Sequence, residues 1–268
     1  MSTDALEREL AVAEALARDA GRLILEHRAR GVEVAEKGAG QIVTAADLAA
    51  DALLREGLAR AFPADAVLSE EAPAPPERAS ARRLWIVDPI DATSDFAAGG
   101  DEFAVSIGLA VDGRAVLGVV HGPARGETFA GAAGLGVRVD GRPARPTEAK
   151  DLATARITVS RKEWKRGLHR FAAALPLVPT ASIAYKLARV AAGLDDGTFS
   201  HKARCDWDLC GGVALVLAAG GRATLLDGSE VRFDRAEVRQ PLGIVAAGVA
   251  LHGPLRAALA RLLPPWTG

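Results

Sequence analysis

Two aspartates at the end of an apolar segment are the residues of this sequence best suited to chemistry. Asp88 and Asp91 follow the strand-like residues 85–87, with Pro89 between them. Because proline cannot donate a hydrogen bond to a sheet and fixes its own φ, we expect the strand to stop there and both aspartates to lie in a turn. Two carboxylates and the carbonyl of Ile90 would supply the hard oxygen ligands that Mg²⁺ or Ca²⁺ requires. A solvated Asp-Pro turn is the alternative, and this short segment alone does not exclude it.

Three further acidic positions are candidates for the same site. Glu70 follows a short apolar segment, and because the adjacent Glu71 points in a different direction, at most one of the two is expected to be a ligand. Asp208 stands at the start of an apolar helix, where an aspartate most often caps the helix but can also present its carboxylate from a rigid element. Asp47 follows Thr44 by three residues, a spacing that resembles a capping box. The functional alternative for Asp47 is a base or a water-orienting carboxylate.

Hydrophobic periodicity locates the elements that must position these acids. Helices are predicted over residues 3–30, 44–62, 164–175, 183–192, 209–219 and 251–263. Strands are predicted over residues 32–35, 66–68, 85–87, 103–111, 115–121, 127–131, 156–160, 198–200, 222–226 and 243–247. Residues 131–146 are predicted to be a glycine- and proline-containing connection. This order predicts an N-terminal α+β domain over residues 1–145, which carries most of the candidate ligands, and a C-terminal α/β domain over residues 146–268, which supplies Asp208.

Composition narrows the class of protein. The chain has 268 residues, of which 49% are hydrophobic and 25% charged, the balance of a soluble globular protein. The formal net charge of −1 gives no global field favouring nucleic acid or an anionic membrane. No signal-peptide core or bilayer-spanning apolar run occurs, and Cys205 and Cys210 form neither a disulfide framework nor a zinc set. We therefore expect a cytoplasmic protein. The histidines show no metal-ligand spacing, and the sequence contains neither a nucleophile elbow nor a phosphate-binding loop.

Four motifs together resemble those of the inositol monophosphatase superfamily. Residues 85–93 (WIVDPIDAT) resemble W-[IV]-[IV]-D-P-[IL]-D-G-T, and residues 207–208 with the following small-residue helix resemble W-D-x-A-[AG]-G, with Cys210 in place of the alanine. Residues 69–71 resemble G/S-E-E, and residues 43–47 resemble V-T-x-A-D. The motifs occur in the family's order and cover most of the chain. The resemblance implies a layered αβαβα sandwich and Mg²⁺-dependent hydrolysis of phosphomonoesters.

The resemblance also implies a role for each matching residue. The implied ligands of two or three Mg²⁺ ions are four carboxylates and one backbone carbonyl: Glu70, Asp88, Asp91, Asp208 and Ile90. Asp47 and Thr93, together with Glu70, would orient and activate the attacking water, and the backbone N–H groups of Ala92 and Thr93 would hold a phosphate oxygen. Bound metal ions would lower the pKa of the water and neutralise the phosphate during an in-line displacement.

Two departures from the family pattern bear on the site: Gln41 stands where many members carry an acid, which would weaken a peripheral metal site, and Ala92 replaces a glycine. The glycine that follows the second aspartate in the family is Ala92 here. If the backbone needs a positive φ at this position, the methyl group costs roughly one kcal/mol or more. The resemblance then leaves three outcomes open: a slow enzyme, an adjusted loop, or a non-catalytic family member.

Basic residues near the second motif bear on the choice of substrate. They are Lys186, His201, Lys202 and Arg204. They form either solvated surface cations or a local basic rim suited to a substrate with a second anionic group. His201 stands where inositol monophosphatases usually carry an acid for the inositol hydroxyls. Residues 182–187 resemble the S-S-x-K segment of bacterial 3′(2′),5′-bisphosphate nucleotidases, although Ile183 replaces a serine.

These features favour 3′-phosphoadenosine 5′-phosphate as the substrate, with inositol-1-phosphate or a sugar phosphate as the alternative. The resemblance further implies inhibition by lithium and assembly as a homodimer.

Overall fold

Helices and strands form five layers in the computed structural model, which describes residues 3–38 and 41–263. The α-helices of this part are α1 (Thr3–Arg30), α2 (Ala45–Ala61), α3 (Thr93–Ala97), α4 (Arg161–Lys165), α5 (Ile183–Ala191), α6 (Asp206–Ala218) and α7 (Val249–Leu262). The strands are β1 (Val34–Gly38), β2 (Gln41–Thr44), β3 (Ala66–Ser69), β4 (Arg83–Asp91), β5 (Ala104–Val111), β6 (Arg114–Gly122), β7 (Glu127–Ala132), β8 (Gly136–Val139), β9 (Arg142–Ala144), β10 (Ile157–Ser160), β11 (Leu177–Thr180), β12 (Gly197–Ser200), β13 (Arg222–Leu225) and β14 (Ile244–Ala247). Short 3-10 helices span Pro76–Ala79 and Leu168–Phe171.

The first two layers are a helix pair and a seven-stranded sheet. The sheet has the order β3-β4-β5-β6-β7-β8-β9, and all its pairs except the parallel β3–β4 are antiparallel. Helices α1 and α2 pack on one face of it, because a stripe of apolar residues at three- and four-residue spacing is buried against the strands. In α1 this stripe consists of Leu6, Leu10, Ala13, Ala17, Ala20 and Ile24.

The middle layer consists of α5 and α6, which contact both sheets. Helix α6 approaches the seven-stranded sheet very closely, because glycines face each other at the contact. A Cβ atom on Gly118 would lie 2.0 Å from the carbonyl oxygen of Gly211, and one on Gly108 would lie 2.7 Å from the Gly211 nitrogen. This close contact holds α6 directly against β5 and β6, next to β4.

The last two layers are a five-stranded sheet and α7. The sheet has the order β11-β10-β12-β14-β13, with β10 parallel to both β11 and β12. Helix α7 packs on its outer face through Leu251, Leu255 and Leu259. The predicted αβαβα sandwich is therefore confirmed. The two sheets are separated in sequence between Ala144 and Ile157, while the domain division at residue 146 stays a prediction.

The end of β4 differs from the prediction. The strand does not stop at Pro89 but continues to Asp91, with a shift of register against β5 between Asp88 and Asp91. A proline lacks only the N–H group that a regular ladder would use, so an irregular pairing accommodates it inside the strand. Both aspartates are therefore part of the sheet rather than of an exposed turn.

Two other segments were predicted wrongly. Residues 164–175 do not form one helix, because Gly167 has a φ of 133° and separates α4 from the 3-10 helix Leu168–Phe171. Residues 131–146 contain the hairpin β8–β9, whose Asp140-Gly141 turn has positive φ at both residues. Strand β11, which contains Pro179, was not predicted; it lies at the edge of its sheet, where a proline is tolerated.

Within residues 3–38 and 41–263, none of the helices combines the length and apolar character needed to cross a bilayer.

Candidate active site

Three aspartates from distant parts of the sequence meet where β4 ends and α6 begins. Asp88 and Asp91 lie at the end of β4, and Asp208 lies in the first turn of α6. One carboxylate oxygen from each lies within 4.8 Å of the others. Asp88 and Asp91 are buried, with 1% and 7% of their surface exposed. This arrangement removes the solvated-turn alternative for Asp88 and Asp91.

Asp88 is the most unusual of the three. Neither of its carboxylate oxygens has a hydrogen-bond partner among the described residues, although both are buried. Burial, followed by the negative charges of Glu70 and Asp91, raises its pKa well above the ordinary value. A buried carboxylate without a partner is costly, and a divalent cation would supply the missing positive charge. The hard oxygen donors of this cluster fit Mg²⁺, and the carboxylates of Asp88, Asp91 and Asp208 would hold it.

Asp91 and Asp208 each use one oxygen to hold their position. The hydroxyl of Ser182 and the backbone N–H of Ala184 donate to Oδ2 of Asp91 at 2.5 and 2.7 Å. The backbone N–H of Cys205 donates to Oδ2 of Asp208 at 2.8 Å. Asp208 is therefore the third residue of α6 rather than its N-cap. Burial and the charge of Asp91 raise the pKa of Asp208 to about 6.

The two adjacent glutamates after β3 have different surroundings. Burial is the main cause that raises the pKa of Glu70 to about 7; the positive charge of Lys37 opposes this shift, and the negative charge of Asp208 adds to it. Lys37 Nζ contacts the carboxylate of Glu71 and lies 3.4 Å from Glu70 Oε1. Glu70 is thus the glutamate whose pKa responds to the charge of Asp208, while the charge of Glu71 is neutralised by Lys37. Sequence reasoning missed this role of Lys37, whose only signal was a lone cation in a glycine-containing segment.

Asp47 contacts both the N-cap of α2 and Thr93, which together with Ala92 forms the candidate phosphate loop. Its Oδ2 accepts hydrogen bonds from the backbone N–H and the hydroxyl of Thr44 at 2.8 and 2.5 Å, which completes the expected capping box. Its Oδ1 lies 3.1 Å from the hydroxyl of Thr93, which also lies 3.0 Å from the carbonyl oxygen of Ile90. Burial raises the pKa of Asp47. One carboxylate therefore both caps α2 and orients Thr93.

Ala92 adopts the left-handed conformation, with φ 77° and ψ 46°, at the N-cap of α3. The backbone thus has the positive φ at this position that glycine adopts without strain. Within the described part of the chain, the N–H groups of Ala92 and Thr93 have no hydrogen-bond acceptor. Both are therefore free to donate to a ligand.

The four basic residues lie around one buried glutamate. Oε1 of Glu163 accepts from the backbone N–H groups of His201 and Lys202 at 2.9 and 3.0 Å, and its Oε2 accepts from Arg204 at 3.2 Å. Lys186 is fully buried, and its ammonium has no hydrogen-bond partner among the described residues. Burial, together with the charge of Arg204, lowers the pKa of Lys186 to about 8.

In this structure the Lys186 ammonium is therefore not at the surface, and contact between these four residues and a substrate stays a prediction. Sequence reasoning missed Glu163, which carries no motif signal.

The carboxylates of Asp88, Asp91 and Asp208 meet at the end of a strand and the start of a helix in a layered α/β fold. This arrangement is typical of enzymes that use divalent metal ions. The sequence profile of the inositol monophosphatase family matches residues 5–263, so the chain belongs to the inositol monophosphatase family. It is accordingly a metal-dependent phosphatase.

Individual relatives and solved structures agree with this membership. The chain is 32% identical over 230 residues to Nus factor SuhB of Escherichia coli, covering 79% of this chain and 83% of that protein. It is 33% identical over 232 residues to the inositol-1-monophosphatase of Mesorhizobium japonicum, covering 83% and 84%. The solved inositol monophosphatase from Anabaena (Nostoc) sp. PCC 7120 superimposes with a TM-score of 0.82 at 29% identity, covering 98% of each chain.

Proposed function

We propose that the protein hydrolyses a small phosphomonoester with Mg²⁺ held by Asp88, Asp91 and Asp208, with Glu70 and the carbonyl of Ile90 as further ligands. The observation that carries this proposal is Asp88, a buried carboxylate that has no partner among the described residues and is surrounded by other acids. Bound Mg²⁺ would supply charge neutralisation and a lowered pKa for water. Two or three ions would fit the family pattern.

The residues of the chain itself have three further roles in this proposal. The Thr93 hydroxyl donates to Asp47 Oδ1 and thereby turns an oxygen lone pair toward the attacking water. The N–H groups of Ala92 and Thr93 bind a phosphate oxygen, because they have no acceptor in the described part of the chain. Asp47 is held by Thr44 and α2, so the pair is rigid before the substrate arrives.

Among substrates, we favour a phosphomonoester that carries a second phosphate, with 3′-phosphoadenosine 5′-phosphate first. The support is the cluster of basic residues Lys186, Lys202 and Arg204, of which Arg204 pairs with Glu163, in a chain whose formal net charge is −1. Inositol-1-phosphate, which the name of the Mesorhizobium relative specifies, or a sugar phosphate is the alternative. The Escherichia coli relative is named as a Nus factor, but the formal net charge of −1 gives this chain no general attraction for nucleic acid.

A phosphate-release assay on a substrate panel tests the proposal. Wild type is expected to release phosphate only with Mg²⁺, while Asp91→Asn should lose turnover and keep the same fold by circular dichroism. Asp19→Asn, which changes a partly exposed aspartate on α1 away from the cluster, is the matched control and should retain turnover. Mg²⁺-independent turnover, or an Asp91→Asn variant as active as this control, would contradict the proposal.

Three tests address the finer statements. Lys186→Met should raise KM for 3′-phosphoadenosine 5′-phosphate more than KM for inositol-1-phosphate, because loss of a positive charge weakens binding most for the ligand that carries a second phosphate. Equal changes in KM would remove the preference for the nucleotide. Family membership also leads us to propose lithium inhibition and a homodimer in the cytoplasm; a lithium titration of activity and light scattering would test the first two.

A further inference from the structure

A cavity of about 240 Å³ lies beside the basic residues and outside the aspartate cluster. The 3-10 helix Leu168–Phe171 and the turn before it form one wall, and His201 and Lys202 form another. The volume is sufficient for a phosphate group together with part of a ring. The cavity is therefore a separate ligand-sized space rather than part of the metal site.

Two arginines give this cavity positive charge. Arg166 and Arg170 both line it, are exposed, and form no ion pair with any residue that the structure describes. Arg170 is held in place, because its Nε donates to the carbonyl of Gly167 at 2.9 Å and its guanidinium lies 5.9 Å from the centre of the Phe171 ring. A Cβ atom at position 167 would lie 2.4 Å from Arg170 Nη2, so the glycine makes room for this guanidinium.

The lining also includes apolar surface and one acid. Leu168 and Phe171 supply the apolar part of the wall. Glu163 is the acid, but Arg204 and two backbone N–H groups already neutralise its carboxylate. The free charge of the cavity is therefore positive, and its apolar wall suits the body of an organic phosphate rather than a bare ion.

Two contacts connect this cavity to the candidate phosphate loop. Lys162, next to the lining residue Glu163, donates from Nζ to the hydroxyl of Ser94 at 2.8 Å, and Arg161 contacts the carboxylate of Asp95. Ser94 and Asp95 belong to α3, directly after Thr93. Helix α4 therefore lies between the cavity, which Glu163 lines, and the residues that follow Thr93.

We propose that Arg166 and Arg170 bind the second phosphate of the substrate in this cavity while the phosphate to be hydrolysed lies at the aspartate cluster. Guanidinium groups bind phosphate through paired N–H donors, and Leu168 and Phe171 contact the part of the substrate between the two phosphates. This inference rests on the proposed function and extends it, because it assigns specificity to a segment that none of the family-like motifs contains.

The test compares substrates and variants of equal charge. The double variant Arg166→Gln/Arg170→Gln removes two positive charges from the cavity, and Arg60→Gln/Arg142→Gln removes two from exposed positions on α2 and β9. For each protein, kcat/KM is measured with Mg²⁺ for 3′-phosphoadenosine 5′-phosphate and for p-nitrophenyl phosphate, and the ratio of the first value to the second is compared. The cavity variant should lower this ratio about tenfold, mainly through KM for the bisphosphate, while the surface variant should leave it unchanged.

A binding measurement separates this inference from the proposed function. The arginines lie outside the aspartate cluster, so they should bind phosphate without metal ions. Calorimetry in EDTA should therefore show that wild type binds 3′-phosphoadenosine 5′-phosphate more tightly than adenosine. The cavity variant should weaken this binding about tenfold. If no phosphomonoester is hydrolysed, the proposed function fails, and the calorimetry alone decides the inference. An unchanged Kd in the cavity variant, or an equal loss in the surface variant, would overturn the inference.

Discussion

Replacing Ala92 by glycine tests whether the loop after β4 is strained. Ala92 has a φ of 77°, a conformation that costs an L-residue with a Cβ atom about 1–2 kcal/mol relative to glycine. Glycine also loses more conformational freedom on folding, which offsets about 0.4–1 kcal/mol of the gain. The methyl group of Ala92 is half-buried against the core beneath α1 and α2, so its removal costs up to about 0.4 kcal/mol more. We therefore expect Ala92→Gly to raise the free energy of unfolding by about 0.5 kcal/mol.

Ala98→Gly is the matched control for the flexibility of glycine. Ala98 is exposed at the end of the same helix and has a φ of −79°, so glycine relieves no strain there. This variant should lower the free energy of unfolding by about 0.7 kcal/mol. The free energies of unfolding of the two glycine variants, measured with urea in EDTA, should therefore differ by about 1 kcal/mol. In thermal unfolding this corresponds to a difference of roughly 2–4 °C in Tm.

A third substitution increases the strain. Ala92→Val should lower the free energy of unfolding by about 1–3 kcal/mol, because a β-branched residue is rarely found with positive φ. The order of stability is thus expected to be Gly, Ala, Val at position 92. If Ala92→Gly is as destabilising as Ala98→Gly, the loop stores no strain and the reasoning is refuted.

Three further predictions concern the acidic cluster and its support. Asp88→Asn should raise the free energy of unfolding at pH 8 in EDTA by about 1 kcal/mol or more, and should abolish the rise in Tm that Mg²⁺ gives wild type. In EDTA, wild type should lose stability as pH rises through about 6 to 7, because Asp208 and Glu70 have folded pKa values of about 6 and 7, above their ordinary values; calorimetric scans at pH 5 and 8 measure this. Arg78→Ala should lower the free energy of unfolding by about 3 kcal/mol in urea and weaken Mg²⁺ binding in calorimetry, since the buried Arg78–Asp206 pair supports the first turn of α6.

Each of these predictions has an outcome that would contradict it. Mg²⁺ stabilisation that survives in Asp88→Asn would place the ion elsewhere. Higher stability at pH 8 than at pH 5 in EDTA would mean that the acids are not protonated in the folded protein. Arg82→Ala removes one partner of the exposed Arg82–Asp112 pair and is the control for Arg78→Ala; equal losses in the two variants would remove the support role of the buried pair.

Local sequence patterns predicted most of the elements and the identity of the candidate ligands. The helix over residues 3–30, the capping box of Asp47 with Thr44 and the strands over residues 103–111 and 115–121 all depend on neighbours a few residues away, and each prediction is confirmed. Periodicity alone predicted one helix over residues 164–175, but the backbone conformation of Gly167 interrupts it. The Asp140-Gly141 turn shows that a usable local signal was also overlooked.

Tertiary structure decided what those residues do. Asp208 is 120 positions from Asp88 in the sequence, and only the close contact of α6 with β5 and β6 brings their carboxylates together. The burial of Lys186 and the hydrogen bonds of Glu163 depend in the same way on packing between distant segments. Hydrophobic spacing and capping are local properties and can be read along the chain. Desolvation and the summed field of neighbouring charges exist only after the layers have packed, and they distinguish a solvated aspartate from a metal ligand.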